Sequence, residues 1–285
     1  MIVRLRVAGL TLVARSRKPL PGLRLPPRLR PFEAARGGDI QLEATEAAPP
    51  VPALGARLFD SGGLWSVHRH GAGRLYVVRE PLRGRPPLKA ALLDEGLRRG
   101  TLFLPRSRQS GKAGFALGFP LDEVLFQHRL AVEGGVFIHS SAVEIGGGVA
   151  LFCGVSGAGK TTVARLFHRA GRRVLSDDRV ALRPRARHIL AFGTPWHGSG
   201  RFASARSARL RAVFFLKQAS RSEAVPLPGA PARLFSLSFP PVWDEAGVAS
   251  VLAACGRVAE AVPTFELRFK KDTSVLEAVE GALCR

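Results

Sequence analysis

Residues 154–161 read Gly-Val-Ser-Gly-Ala-Gly-Lys-Thr, the G-x-x-x-x-G-K-[ST] spacing of a loop that holds phosphate. Glycines at 154, 157 and 159 let successive backbone N–H groups turn into one concavity. Lys160 can then reach the β- and γ-phosphates of a nucleotide, and the Thr161 hydroxyl is placed to ligate Mg²⁺. The candidate binding set is Gly154, Val155, Ser156, Gly157, Ala158, Gly159, Lys160, Thr161 and Thr162, with ATP and Mg²⁺ as the implied ligands. Two further groups flank it: the carboxylates Asp177 and Asp178 downstream, and His139 upstream. One carboxylate can accept a proton from an incoming hydroxyl while the other holds Mg²⁺ or its waters.

Chemistry at this spacing needs a strand before the loop and a helix after it. Residues 149–153, Val-Ala-Leu-Phe-Cys, form a buried-strand run, and 161–170 read as helix up to Gly171. Further strands are expected at 136–138, 142–145, 173–175 and 212–216, with a glycine turn at 146–148. Ligands of open sheets bind at the C-terminal strand ends, where Asp177, Asp178 and His139 fall. A helix opens at Pro120 and runs to about Val132, with Leu121, Val124, Leu125 and His128 on one face. Trp243 and the Phe-Pro-Pro run at 239–241 are expected to pack a helix over 246–261 onto the core.

The chain has 285 residues and 46% hydrophobic content, room for one large or two small domains. No apolar run approaches the roughly 18 residues of a membrane helix. Val3, Leu5 and Val7 alternate with Arg4 and Arg6, a strand pattern rather than a signal peptide. Three widely spaced cysteines, at 153, 255 and 284, show no metal pattern and fit a reducing cytoplasm. The net charge of +21 comes almost wholly from scattered arginines, and a single tyrosine is available for base stacking. That balance points away from nucleic acid and suits an acidic or phosphorylated partner. Residues 18–31, rich in Pro and Arg, read as an arm or linker. Residues 64–67 and 75–78 read as a hairpin, with His68 and His70 on its surface. Short segments at 101–104 and 115–119 flank a Ser/Gly/Lys turn. Two domains are expected: a β-rich accessory or substrate-recognition domain over 1–119, and a catalytic α/β core with a mixed sheet over 120–285.

The combination His139-x20-Lys160-x17-Asp178 resembles the catalytic domain of HPr kinase/phosphorylase, a bacterial P-loop serine kinase with a phosphoenolpyruvate-carboxykinase-like fold. In that family a histidine stands 21 positions before the loop lysine (160 − 21 = 139), and an Asp-Asp-Arg-Val block ends its acidic pair 18 positions after it (160 + 18 = 178). The match is close over 136–182 and looser beyond. The resemblance implies that Asp178 activates the acceptor serine, that Lys160 and Thr161 hold phosphate and Mg²⁺, and that His139 is an active-site histidine. Asp177 is then left for the metal. Two features depart from the family. Its Glu followed by Arg-Gly-Leu-Gly is absent, and its N-terminal regulatory domain is not recognisable; both point away from HPr as the acceptor.

In place of that signature, 193–204 read Gly-Thr-Pro-Trp-His-Gly-Ser-Gly-Arg-Phe-Ala-Ser. This segment resembles the corresponding part of HPr-kinase-related proteins of peptide-modification systems, including the kinases of lasso-peptide precursors. It suggests a mobile active-site loop, with Trp196 as apolar anchor and His197 and Arg201 as substrate or phosphate contacts. The expectation is an ATP- and Mg²⁺-dependent kinase of a Ser or Thr hydroxyl on a small protein or peptide. A nucleotide-binding switch or scaffold, and a small-metabolite kinase, are the alternatives. Oligomeric state is left open.

Overall fold

The computed structural model describes residues 1–53, 55–80, 87–105 and 114–284. The chain is mixed α/β with two large mixed sheets and few helices. It divides into two compact units, 1–129 with 242–244, and 130–241 with 245–285.

The first unit is built on an eight-stranded sheet in the order β1-β2-β3-β8-β7-β6-β5-β4. Its strands are β1 (Ile2–Val7), β2 (Leu10–Arg15), β3 (Ile40–Thr45), β4 (Arg57–Asp60), β5 (Trp65–His70), β6 (Gly73–Val78), β7 (Lys89–Leu93) and β8 (Arg99–Phe103). β3 runs parallel to both β2 and β8, and the other pairings are antiparallel. The β5–β6 hairpin is the one expected from the sequence. The turn expected between 104 and 115 lies largely outside the described residues.

Three expectations are corrected in this unit. Residues 18–31 are not a free arm: 3₁₀ turns at Pro21–Leu23 and Pro27–Phe32 bury Leu20, Leu23, Leu29 and Phe32. A tight three-residue turn brings apolar positions spaced by three onto one side, even among prolines and arginines. His68 is buried rather than on the surface, with its Nε2 2.8 Å from the Ser66 hydroxyl. His70 is exposed as expected. Trp243, expected to help pack the helix over 246–261, belongs to this unit, its ring centroid 5.4 Å from Phe59 and 5.3 Å from Trp65.

The helix expected from Pro120 is α1 (Leu121–Val132), and the division between the units falls inside it. The second unit carries the other eight strands: β9 (Val136–Ile145), β10 (Gly148–Cys153), β11 (Val174–Ser176), β12 (Arg179–Pro184), β13 (Ile189–Phe192), β14 (Ser207–Gln218), β15 (Glu223–Pro226) and β16 (Thr264–Phe269). Its helices are α2 (Lys160–Arg169), α3 (Pro231–Ser236), α4 (Glu245–Ala261) and α5 (Ser274–Leu283). The strands expected at 136–138 and 142–145 are one strand. The first part of β9 pairs with β12 and the rest with β10 and β11. β14 behaves alike, pairing first with β13 and then, in parallel, with β10 and β16.

Strand β10 is buried along its whole length because both its faces are covered. Phe152 faces α2 and α5 through Val163, Phe167, Val275 and Val279, and stacks on Phe214 at 5.5 Å. Leu151 and Cys153 face the opposite core, which includes Val251, Ala254 and Val258 of α4. The parallel strands β10, β14 and β16 thus end together, and the loop 154–159 leaves from that end. Among the described residues, no helix is long and apolar enough to cross a membrane.

Candidate functional site

Between β10 and α2 the chain must turn sharply, and the glycines make the turn. Gly157 and Gly159 have φ of +81° and +106°, a left-handed conformation that side chains strain to adopt. A Cβ on Gly159 would also lie 2.5 Å from the Phe269 ring, and one on Gly154 would lie 2.6 Å from the Ala158 Cβ. The Gln218 amide grips the loop from β14, donating to the Gly157 carbonyl at 3.0 Å. Helix α2 begins at Lys160, so the first N–H groups of the helix face the loop without intrahelical acceptors. Lys160 is 6% exposed, and its ammonium donates to the Gly154 and Val155 carbonyls at 2.8 and 2.9 Å. Burial pulls its pKa down, while Asp178 and Cys153 pull it back up.

Facing this loop is a carboxylate held from two sides. The register sets Arg179 of β12 opposite His139 of β9, which brings Asp178 beside the imidazole. His139 Nδ1–H donates to Asp178 Oδ1 at 2.9 Å, and the Arg179 guanidinium donates to the other carboxylate oxygen. Arg179 in turn lies over the Phe239 ring, 4.7 Å from its centroid. Burial works against ionisation of Asp178. The hydrogen bond from His139 and the charges of Arg179, His139 and Lys160 outweigh it, holding the carboxyl below its ordinary value.

These groups share one cleft of about 330 Å³, lined by His139, Ser156, Gly157, Gly159, Lys160, Thr161, Thr162, Asp177, Asp178, Gly198 and Ser199. Of the residues singled out by spacing, the structure therefore gathers His139, Lys160, Thr161, Thr162, Asp177 and Asp178 with the glycine loop. Gly154, Val155 and Ala158 complete the turn without lining the cleft, and Val155 is 67% exposed.

The geometry departs from expectation at four residues. Asp177 is 2% exposed, and its carboxylate already accepts three backbone N–H groups, from Gly198 at 2.9 Å, Gly200 at 2.6 Å and Phe202 at 3.3 Å. It faces the 198–202 loop, because neighbouring strand-end residues point opposite ways. Trp196, His197 and Arg201 are not in the described lining of the cleft. Trp196 is 9% exposed and meets Phe137 edge-on at 5.6 Å. His197 is exposed and donates to the Gly198 carbonyl at 3.0 Å. Arg201 is exposed, with φ of +59°. The loop is tethered rather than free, since Arg165 of α2 also donates to the Ser199 carbonyl at 3.0 Å. Sequence reasoning assigned no role to Arg179 or Gln218, although Arg179 stands in the quoted Asp-Asp-Arg-Val block. Gln218 left no local signal.

No protein-family model matches the chain, and no curated protein matches it. Among solved structures, the Hpr(Ser) kinase/phosphatase from Coxiella burnetii is similar over 51% of this chain and 93% of that chain, at 10% identity and a TM-score of 0.32. Among the described residues, no cluster of three or more His, Cys, Asp or Glu side chains is arranged around a metal position.

Proposed function

We propose that this chain is an ATP- and Mg²⁺-dependent kinase that phosphorylates a serine or threonine hydroxyl of a small protein or peptide. The observation that carries the reading is a carboxylate, Asp178, fixed by His139 and Arg179 in the same cleft as Lys160, Thr161 and the glycine loop. A switch that only binds nucleotide has no use for an ordered base opposite the phosphates.

The cradle fits a triphosphate. Its floor is glycine where a Cβ would strike Phe269, and a helix start offers N–H groups to an anion. Lys160, now donating to two loop carbonyls, is the charge that turns to phosphate oxygens. Mg²⁺, when bound, neutralises charge on the β- and γ-phosphate oxygens. The Thr161 hydroxyl is the side chain here that would hold it. Asp177 does not fit that role, because its oxygens are committed to three N–H groups. Asp178 is held ionised, so it accepts the hydrogen bond of an acceptor hydroxyl and takes its proton as the phosphoryl group moves. Arg179 and His139 keep the carboxylate aimed, a positioning task of the kind that dominates phosphoryl transfer.

The test is mass spectrometry of candidate acceptor peptides incubated with the protein, ATP and Mg²⁺. A mass gain of one phosphate on a Ser or Thr, absent with Asp178→Asn, supports the reading. Tight nucleotide binding with no acceptor phosphorylated returns the chain to the switch class.

A further inference from the structure

We infer that Asp177 is a positioning residue for the acceptor side of the cleft and takes no part in metal binding. The inference rests on the kinase reading for its function, and on the main-chain geometry of 198–202 for its structure.

Three N–H groups, from Gly198, Gly200 and Phe202, converge on one buried carboxylate. Alternate residues supply them, so the chain wraps around the anion. Charge-assisted bonds of this kind are about twice as strong as neutral ones. Side chains are excluded where the wrap is tightest. A Cβ on Gly200 would stand 2.6 Å from Asp177 Oδ2, and one on Gly198 would stand 3.1 Å from it. The Gly-Ser-Gly composition of 198–200 is thus explained by an approach to a carboxylate, rather than by freedom of movement. Gly198 and Ser199 in turn form the cleft wall that adjoins Asp178. Arg165 ties the same wall to α2, the helix that opens with Lys160. The wall beside the proton acceptor is therefore set by Asp177, and a hydroxyl presented to Asp178 must pass it.

Asp177→Asn keeps the shape but puts an NH₂ where one oxygen stood, so at least one N–H faces a donor. Gly200→Ala breaks the same wrap without altering the carboxylate. Both variants should speed amide exchange at 198–202 by about tenfold, the cost of one charge-assisted bond. Mn²⁺ affinity of the protein saturated with ADP, read by electron paramagnetic resonance, should stay within about twofold of wild type, since no metal ligand is lost. With an acceptor peptide in hand, acceptor turnover should fall about tenfold at unchanged KM for ATP, and excess Mg²⁺ should not restore it.

Mn²⁺ affinity weakened about tenfold or more in Asp177→Asn, or rescue by Mg²⁺, would make Asp177 a metal ligand and overturn the inference. Unchanged exchange at 198–202 would overturn it as well. The exchange measurement needs no turnover, so it decides the tether even if the kinase reading fails.

Discussion

Each unit of this molecule contains a His–Asp pair, and the two are built for opposite ends. In the first, His128 is 1% exposed, and both ring nitrogens are spent. Its Nε2–H donates to Asp244 at 2.8 Å, while Nδ1 accepts from the Tyr76 hydroxyl at 2.6 Å and the Trp243 indole at 3.1 Å. Arg74 completes the set on the other Asp244 oxygen, at 3.1 Å. Burial pushes the His128 pKa down to about 4 despite Asp244, so the ring is neutral. In the second unit, His139 is 26% exposed at its side chain, and only Nδ1 has a partner among the described residues. Strongly shifted pKa values often mark active sites, yet the strongly shifted His128 is a buried group of the first unit with every ring nitrogen bonded. Solvent access and a ring nitrogen left over distinguish the His139–Asp178 pair from the buried one.

The comparison breaks most visibly at the glycine loop. Lys160→Ala should weaken nucleotide binding by roughly a hundredfold or more and abolish transfer, because backbone amides alone leave the triphosphate charge unpaired. Calorimetric titration with ATP measures it, and unchanged affinity would remove the loop from the site. The two histidines should then part company. His128→Gln should cost on the order of 3 kcal/mol of stability by orphaning buried donors, with nucleotide affinity unchanged in the folded protein. His139→Gln should leave stability nearly as it was and lower turnover by about tenfold. Denaturant melts and single-turnover assays of both variants compare them directly.

pH sharpens the same contrast. The folded value of His128, about 4, lies below its ordinary 6.5. The unfolded chain therefore takes up that proton first. The stability it supplies is complete above pH 6.5 and is lost as pH falls from there toward 4, by about 1.4 kcal/mol per pH unit. Asp178 is held below its ordinary 3.8, so its contribution is complete above that value and disappears only on falling through the lowered one. Acid melts with a probe in each unit should show the first unit weakening earlier. The smallest effect belongs to the exposed His70, where His70→Ala should stay within about 0.5 kcal/mol of wild type in a thermal melt.

What could be read from the sequence follows the range of the contacts. The glycine loop, its strand and its helix lie within about twenty residues, and their spacing is dictated by phosphate geometry, so they were legible. His139 and Asp178 were marked by their place at strand ends and by the offsets of the family resemblance, and the β9–β12 register brings the two side chains together. The His128 cluster was not legible: its partners lie 52, 115 and 116 positions away and share no pattern. The task of Asp177 was hidden for another reason. Its partners are main-chain N–H groups, which every residue but proline carries, so residue type does not announce them. In 18–31 a signal was present, since Leu20, Leu23, Leu29 and Phe32 are spaced in threes and sixes, but proline and arginine content masked it.

The central claim, that Asp178 is the proton acceptor of a phosphoryl transfer, is tested most directly by Asp178→Asn. Nucleotide affinity and single-turnover transfer to a phosphorylatable peptide are measured side by side. The account requires affinity within a few-fold of wild type and transfer slower by about 10²–10⁴-fold, the usual loss when a general base is removed. Transfer at the wild-type rate in Asp178→Asn would contradict it.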